Sequence, residues 1–205
     1  MRSFRLKVVK QSPESLLSAA QALTPRLLDL RQSKPIPVVL IDGRAGSGKS
    51  TFARLLQDQV FQETKQSPKV IHMDDLYPGW EGLAQGSLYL VENILKPLRI
   101  AGKAQWQRWD WANDNRGGQD PGNGWREFGG ENMLIIEGCG SVTTQSAELA
   151  NLTIWIEAER QMRKERFEAR DRGVFSNFWN SWSAQEDEFF QEQRSEQLCE
   201  LKVNN

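Results

Sequence analysis

Apolar and polar positions fall into two kinds of block along the chain. Short apolar runs at Val38–Ile41, at Val70-Ile71-His72-Met73, at Met133–Ile136 and at Leu152–Ile156 read as buried strands, and Leu198–Val203 reads as a weak final one. Between them the apolar positions recur at helical spacing. Phe52, Leu55, Leu56 and Val60 mark one helix, and Leu88, Val91, Ile94, Leu95 and Leu98 mark another over 85–98. Leu16, Leu17, Ala20, Leu23, Leu27 and Leu30 predict a helix over 13–31, with Pro25 as a kink or break. A charged helix is expected over 159–171 and a further one over 179–196. Strands alternating with helices predict an α/β fold with a mostly parallel five-stranded sheet, helices on both faces and ligands at the strand carboxyl ends.

Residues 104–128 break this rhythm. Trp106, Trp109, Trp111 and Trp125 flank Asn113–Gly118 and Pro121–Gly124, which predicts two short extended segments joined by a polar, glycine-rich excursion. The tryptophans serve either as core or as the aromatic wall of a small-molecule pocket, since Asp110, Asn113, Asp114 and Arg116 share the stretch.

The 205 residues suit one domain, with a helical extension over 1–34. A net charge of −1 argues against a dedicated nucleic-acid surface. Two cysteines and no apolar signal core or membrane-length run point to a cytoplasmic protein without a membrane partner. A single histidine argues against a His-rich metal site.

The chemistry begins at Gly43-Arg44-Ala45-Gly46-Ser47-Gly48-Lys49-Ser50, followed by Thr51. This is the phosphate-binding pattern G-x-x-x-x-G-K-[ST], set between a strand and a helix as its function requires. The glycines let successive N–H groups point at phosphate oxygens, and the helix N-terminus adds positive charge. Lys49 would reach the β- and γ-phosphates of ATP, and the Ser50 hydroxyl would ligate Mg²⁺. The fold class is therefore expected to be a P-loop three-layer sandwich.

Two acids follow strands. Asp74 stands at the rim after the second strand, where a carboxylate serves as base toward an acceptor hydroxyl or positions Mg²⁺; a turn or cap role is the plainer alternative, and the one that fits Asp75. Glu137 ends the strand Met133–Ile136 and suits a carboxylate that holds Mg²⁺ directly or through water. Arg160, Arg163, Arg166, Arg170 and Arg172 form a basic stripe, either a lid over a transferring phosphoryl group within 159–175 or a solvated face paired with Glu159, Glu165 and Glu168.

These motifs, in this order over roughly residues 37–175, resemble the uridine kinase branch of P-loop kinases. Met73-Asp74-Asp75-Leu76-Tyr77 is similar to that family's aspartate motif, which implies that Asp74 is the catalytic base. Trp109-Asp110-Trp111 resembles its nucleobase-holding Tyr-Asp-Phe segment, Ile136-Glu137-Gly138 its Phe-Glu-Gly strand end, and Arg163, Arg166, Arg170 and Asp171 its lid helix. Asp74–Trp80 and Trp179–Gln185 also resemble actinobacterial ATP-binding proteins labelled uridine kinase-like. The departures concern the acceptor. Gln85–Tyr89 lacks the family's ribose-gripping aspartate, and its base-contacting tyrosine and histidine fall on Trp109 and Asp114. The resemblance implies an ATP- and Mg²⁺-dependent kinase in which Lys49, Asp74, Arg163, Arg166 and Arg170 are catalytic, acting on a small-molecule hydroxyl. Tyr77, Trp109, Trp111 and Asp114 are the candidate acceptor residues. A non-nucleoside alcohol as acceptor, or a nucleotide switch with a protein partner, are the competing readings.

Overall fold

The computed structural model describes residues 7–8, 16–119 and 122–205. Residues 13–15 of the first expected helix, Pro121 and the side chain of Asp171 lie outside the described residues. In chain order the first elements are β1 (Lys7–Val8), α1 (Leu16–Ser33), β2 (Val38–Asp42), α2 (Lys49–Thr64), β3 (Lys69–His72), α3 (Leu83–Leu90) and α4 (Lys96–Ala101). Four short strands follow: β4 (Ala104–Gln107), β5 (Trp109–Asp110), β6 (Asn115–Arg116) and β7 (Trp125–Phe128). The chain closes with β8 (Leu134–Glu137), α5 (Thr144–Leu149), β9 (Leu152–Glu157), α6 (Arg160–Ala169), α7 (Trp179–Gln193), α8 (Ser195–Leu198) and β10 (Leu201–Asn204).

The five expected strands form the main sheet, and the two-residue β1 adds to its edge, giving the order β1-β10-β9-β2-β8-β3. Every pairing in it is parallel. Parallel strands covered on both faces read as unbroken apolar runs, and all five residues of β2 are buried. Alternation along β2 divides the core. Val39 and Ile41 face α1 and α2, where Ala20, Leu27, Phe52, Leu56 and Val60 pack; Val38 and Leu40 face the layer of α3, α4 and α7. Truncating Phe52 to alanine would cost about 3–5 kcal/mol at such a fully buried site.

Two prolines behave differently from one another. Helix α1 runs through Pro25; the carbonyl left without a donor belongs to Gln21, an exposed residue, so water can serve it. The helix expected over 85–98 instead runs from Leu83 to Ala101 with a π-turn at Val91–Leu95, just before Pro97 near the start of α4. A proline ring has no N–H to continue the α ladder, and the widened turn lies where that ladder is interrupted.

The segment 104–128 forms two small antiparallel ribbons, β4 with β7 and β5 with β6. Its polar excursion is organised by Asp110, whose carboxylate accepts from the backbone N–H groups of Ala112, Asn113 and Gln119 and from the Asn113 amide. Those bonds hold the Asp110 carboxyl below the usual range, the Asn113 side chain contributing most.

Candidate active site

The phosphate loop leaves β2 between its two neighbours, β8 and β9, where the strand order reverses. The strand's last residue, Asp42, is wholly buried and accepts from the N–H groups of Gly43, Gly140 and Val142. Burial pushes its carboxyl up to about 7, against those three donors and Lys49. Asp42 thereby ties the start of the phosphate loop to the loop after β8. Gly46, at φ +76°, is required twice over: its backbone is left-handed, and a Cβ there would stand 2.2 Å from the Arg163 carbonyl.

Lys49 is buried, with its Nζ donating to the Arg44 carbonyl at 2.9 Å and lying 3.5 Å from Cys139 Sγ. Burial disfavours the charge, but Cys139, Glu137, Glu186 and Asp42 outweigh it and hold the ammonium above its ordinary value. At the first turn of α2, Ser50 Oγ donates to Glu137 Oε1 at 2.8 Å. The register pairs His72 with Glu137 across β3 and β8, and His72 Nδ1 meets the same oxygen at 2.6 Å. Burial opposes the charge on Glu137, yet His72, Lys49 and Ser50 keep its carboxyl below the usual range. His72 is correspondingly raised, mainly by that hydrogen bond. Among the described residues no three His, Cys, Asp or Glu side chains converge on a metal position. One carboxylate beside one hydroxyl at a phosphate loop suits Mg²⁺, which completes its shell with water and phosphate oxygens.

Asp74 lies on the single 3₁₀ turn Met73–Asp75 after β3. Its carboxylate is exposed and pairs with Arg170 at 3.0 Å, while its carbonyl accepts from the Trp111 indole at 2.9 Å. The end of β3, the residue after α6 and the ribbon segment therefore meet at this residue. Asp75 takes the lesser part: it approaches Arg108 at 3.9 Å, and burial raises its carboxyl.

The arginine stripe resolves by position. Arg163 is buried with Nη1 3.4 Å from the Ala45 carbonyl, Arg166 donates to the Gly46 carbonyl at 3.3 Å, and Arg170 meets Asp74. Arg163 and Arg166 turn one face of α6 toward the phosphate loop, and Arg170, just past the helix end, reaches the Asp74 rim. Arg160 is exposed at the helix start, and Arg172 lies beyond the helix with φ +58°.

The tryptophans differ in burial. Trp106 is core, at 2% exposure, whereas Trp111 is 40% exposed. The Trp111 ring lies 5.3 Å from Trp80, which stacks on Phe178 at 4.2 Å and touches Phe175 and Trp182. Asp114 is exposed on the same side, its Oδ1 3.5 Å from where a Cβ on Gly79 would stand. Trp109 is half-buried beside Arg116, and its indole N–H is buried without a partner. Tyr77 departs from the expected acceptor role. It is 1% exposed, its hydroxyl donates to the Cys139 carbonyl at 2.7 Å, and its ring packs edge-on against Trp182. Its place is structural because the close-packed turn at Gly138 seals it: a Cβ on Gly138 would meet Met73 at 2.4 Å and the Tyr77 hydroxyl at 3.2 Å.

Sequence reasoning missed Asp42, Cys139, Trp80 and Glu186. Glu186 carried a signal: it is an acid within the buried stripe Trp179, Trp182, Ser183, Glu186, Phe189, Phe190 of α7. Its Oε1 accepts from the Ala45 N–H at 2.6 Å and from Cys139 Sγ and Trp182 Nε1, each at 3.1 Å.

No protein-family model matches the sequence, and no curated protein matches it either. Solved structures do. One described as a possible uridine kinase from Bacillus stearothermophilus aligns with a TM-score of 0.63 over 92% of this chain and 98% of that one, at 18% identity. A provisionally assigned fructose transport system kinase from a Silicibacter species gives 0.57 over 93% and 99% at 17% identity. A D-glycerate 3-kinase from Cryptococcus neoformans gives 0.51 over 94% and 96% at 13% identity. At such identities the likeness is one of fold. Among the described residues no helix is long and apolar enough to cross a membrane. The chain has the fold of the uridine kinase-like P-loop kinases.

Proposed function

We propose that the protein is a cytoplasmic kinase that transfers the γ-phosphoryl group of ATP to a hydroxyl of a small metabolite. One observation carries the reading: the Ser50–Glu137 pair and the Asp74–Arg170 pair lie past neighbouring parallel strands, on the side of the sheet where the phosphate loop opens. The loop N–H groups and Lys49 bind the phosphates. Ser50 and Glu137 would hold Mg²⁺, which supplies neutralisation of phosphate charge. Asp74, freed from Arg170, takes the proton of the acceptor hydroxyl as its oxygen bonds to phosphorus and the bond to the leaving diphosphate breaks. Arg166 and Arg170 stabilise the charge spread over the transferring group, while Arg163, held by the Ala158 and Ala45 carbonyls, braces α6 against the loop. An exposed Asp74 paired with an exposed arginine suits a carboxylate that must exchange partners during turnover, whereas a nucleotide switch needs only to position water.

The acceptor site in this reading is bounded by Trp111, Trp80 and Asp114, with the unpartnered indole N–H of Trp109 as a donor nearby. The stretch Gln85–Tyr89 lies within α3, where Gly86 is pressed against the Tyr77 ring and Ser87 is buried, and it holds no acid for a ribose. That observation favours an acceptor without a ribose diol: an alcohol with a flat or apolar face and a hydrogen-bond donor. The test is ATP turnover against a metabolite pool. ATP loss should wait for the acceptor; turnover of the same size with ATP alone would make the protein an ATPase.

A further inference from the structure

On the side of the phosphate loop that faces α7 lies a cavity of about 210 Å³, lined by Arg44, Arg160, Arg163, Ser183 and Asp187. It is separate from the Asp74 rim, since Arg160 and Arg170 stand at opposite ends of α6, about 15 Å apart along a helix. The Arg44 carbonyl turns toward Lys49, but its guanidinium reaches to α7.

Three guanidinium groups surround this space, and they are unequally occupied. Arg163 is committed to the Ala45 and Ala158 carbonyls and lies 4.0 Å from Glu186. Arg44 pairs with Asp187 at 2.6 Å and stands 3.8 Å from Glu186. The Asp187 side chain is 63% exposed, so this ion pair is screened and easily exchanged. Arg160 makes no hydrogen bond or ion pair among the described residues. The Ser183 hydroxyl, in a residue only 8% exposed, is buried without a partner. A buried hydroxyl without a hydrogen bond carries a desolvation cost that a ligand oxygen would relieve. The cavity lining itself holds three guanidinium groups and one carboxylate, Asp187, while Glu186, Glu157 and Glu159 act on Arg163 from outside the lining.

We propose that this cavity binds the phosphate group of a small phosphorylated metabolite, or inorganic phosphate, and couples its occupancy to the nucleotide loop through Arg44. A phosphate presents enough oxygens for Arg160, Arg44 and Ser183 at once, and planar guanidinium groups match it in paired bonds. The volume accepts a phosphate with a short stem and falls below the roughly 300–1,000 Å³ of pockets for larger ligands. When the anion takes Arg44 from Asp187, the adjoining residue Ala45 feels it, because Ala45 is bonded to both Glu186 and Arg163. The coupling is reciprocal: phosphate changes nucleotide affinity by the factor by which nucleotide changes phosphate affinity.

The experiment is calorimetric titration of the full chain with inorganic phosphate and, separately, glycerol phosphate, at fixed ionic strength. Binding is read without turnover, so the result stands apart from the kinase reading. Wild-type protein should bind at least one of them saturably. Arg160→Ala and Ser183→Ala should each weaken binding about tenfold, the size expected when a charge-assisted or buried hydrogen bond is lost, and Arg160→Lys should recover part of it. Arg160 is exposed, so its variants should fold. Tighter binding of glycerol phosphate would identify a metabolite as the source, and equal binding would identify phosphate itself. With a non-hydrolysable ATP analogue present, the apparent phosphate affinity should reach a plateau. Three results would overturn the proposal: no binding at millimolar concentration, variants that bind like wild type, or an apparent affinity that falls without limit as the analogue rises, which would make the cavity part of the nucleotide site.

Discussion

The carboxylate of Glu186 accepts a hydrogen bond from the Ala45 N–H at 2.6 Å, joining the last long helix to the phosphate loop across 141 positions of sequence. None of Glu186 is exposed, and the same oxygen also serves Cys139 and Trp182. The phosphate loop is therefore braced from outside by an acid as well as from beneath by Asp42. Glu186→Ala would strand these donors and leave Arg44 and Arg163 short of a countercharge. Breaking a buried charged network this way costs about 3–5 kcal/mol, to be read by denaturant unfolding. Glu186→Gln, which keeps the shape, should retain more stability while weakening ATP binding; equal ATP affinity in wild type and Glu186→Gln would confine Glu186 to stability alone.

Lys49→Ala should abolish phosphoryl transfer, because the charge on the β- and γ-phosphates loses its partner. Wild-type protein with Mg·ATP at about 100 times its Kd should gain about 2.7 kcal/mol. For a chain of this size that is a rise in Tm of about 5–10 °C. Lys49→Ala should lose most of that rise. No shift with ATP or GTP at millimolar concentration would show that the loop does not bind a triphosphate.

Asp74→Asn keeps the shape at the rim and removes the base. Nucleotide affinity should stay nearly unchanged while turnover falls by roughly 10²–10⁴. Arg170→Ala should also lower turnover with little effect on folding, since an exposed ion pair contributes little stability. A parallel loss of ATP affinity in Asp74→Asn would assign Asp74 to the metal instead.

The His72–Glu137 pair has a pH signature. His72 is raised above its ordinary value, so its contribution to stability is full below about pH 6.5 and is lost as pH rises through the folded value. Glu137 is lowered, so its contribution is present above its ordinary value and fades as pH falls through the folded one. The difference in Tm between wild type and His72→Ala should thus be largest near about pH 5.5 and should shrink in alkaline solution. A difference that grows with pH would contradict the pairing.

Uridine and cytidine should be poor acceptors, because Gln85–Tyr89 offers no acid to a ribose diol and a hydroxyl pair left unpartnered loses binding preference. Trp111→Ala should weaken acceptor binding, followed by tryptophan fluorescence, while ATP binding persists and the protein stays folded. Phosphorylation of uridine at the rates of a metabolic kinase would restore the nucleoside reading.

Most of the fold was legible in the chain because the signals are local. The apolar runs predicted the five strands of the main sheet, and the glycine loop Gly43–Ser50 does stand between a strand, β2, and a helix, α2. The spacing of Arg163, Arg166 and Arg170 put them on one helix face; the structure turns Arg163 and Arg166 to the loop but ends α6 at Ala169, so that Arg170 meets Asp74 from beyond the helix. Periodicity states which residues share a face; it does not state what the face meets. Only the tertiary structure buried Tyr77, split Trp106 from Trp111 and set Arg160 apart from its neighbours. It alone brought Glu186 to Ala45, and it alone made His72 the partner of Glu137, because that contact depends on β8 lying between β2 and β3. Strand order and helix docking come from the packing of distant apolar surfaces, and the polar contacts at this site follow from where that packing leaves them.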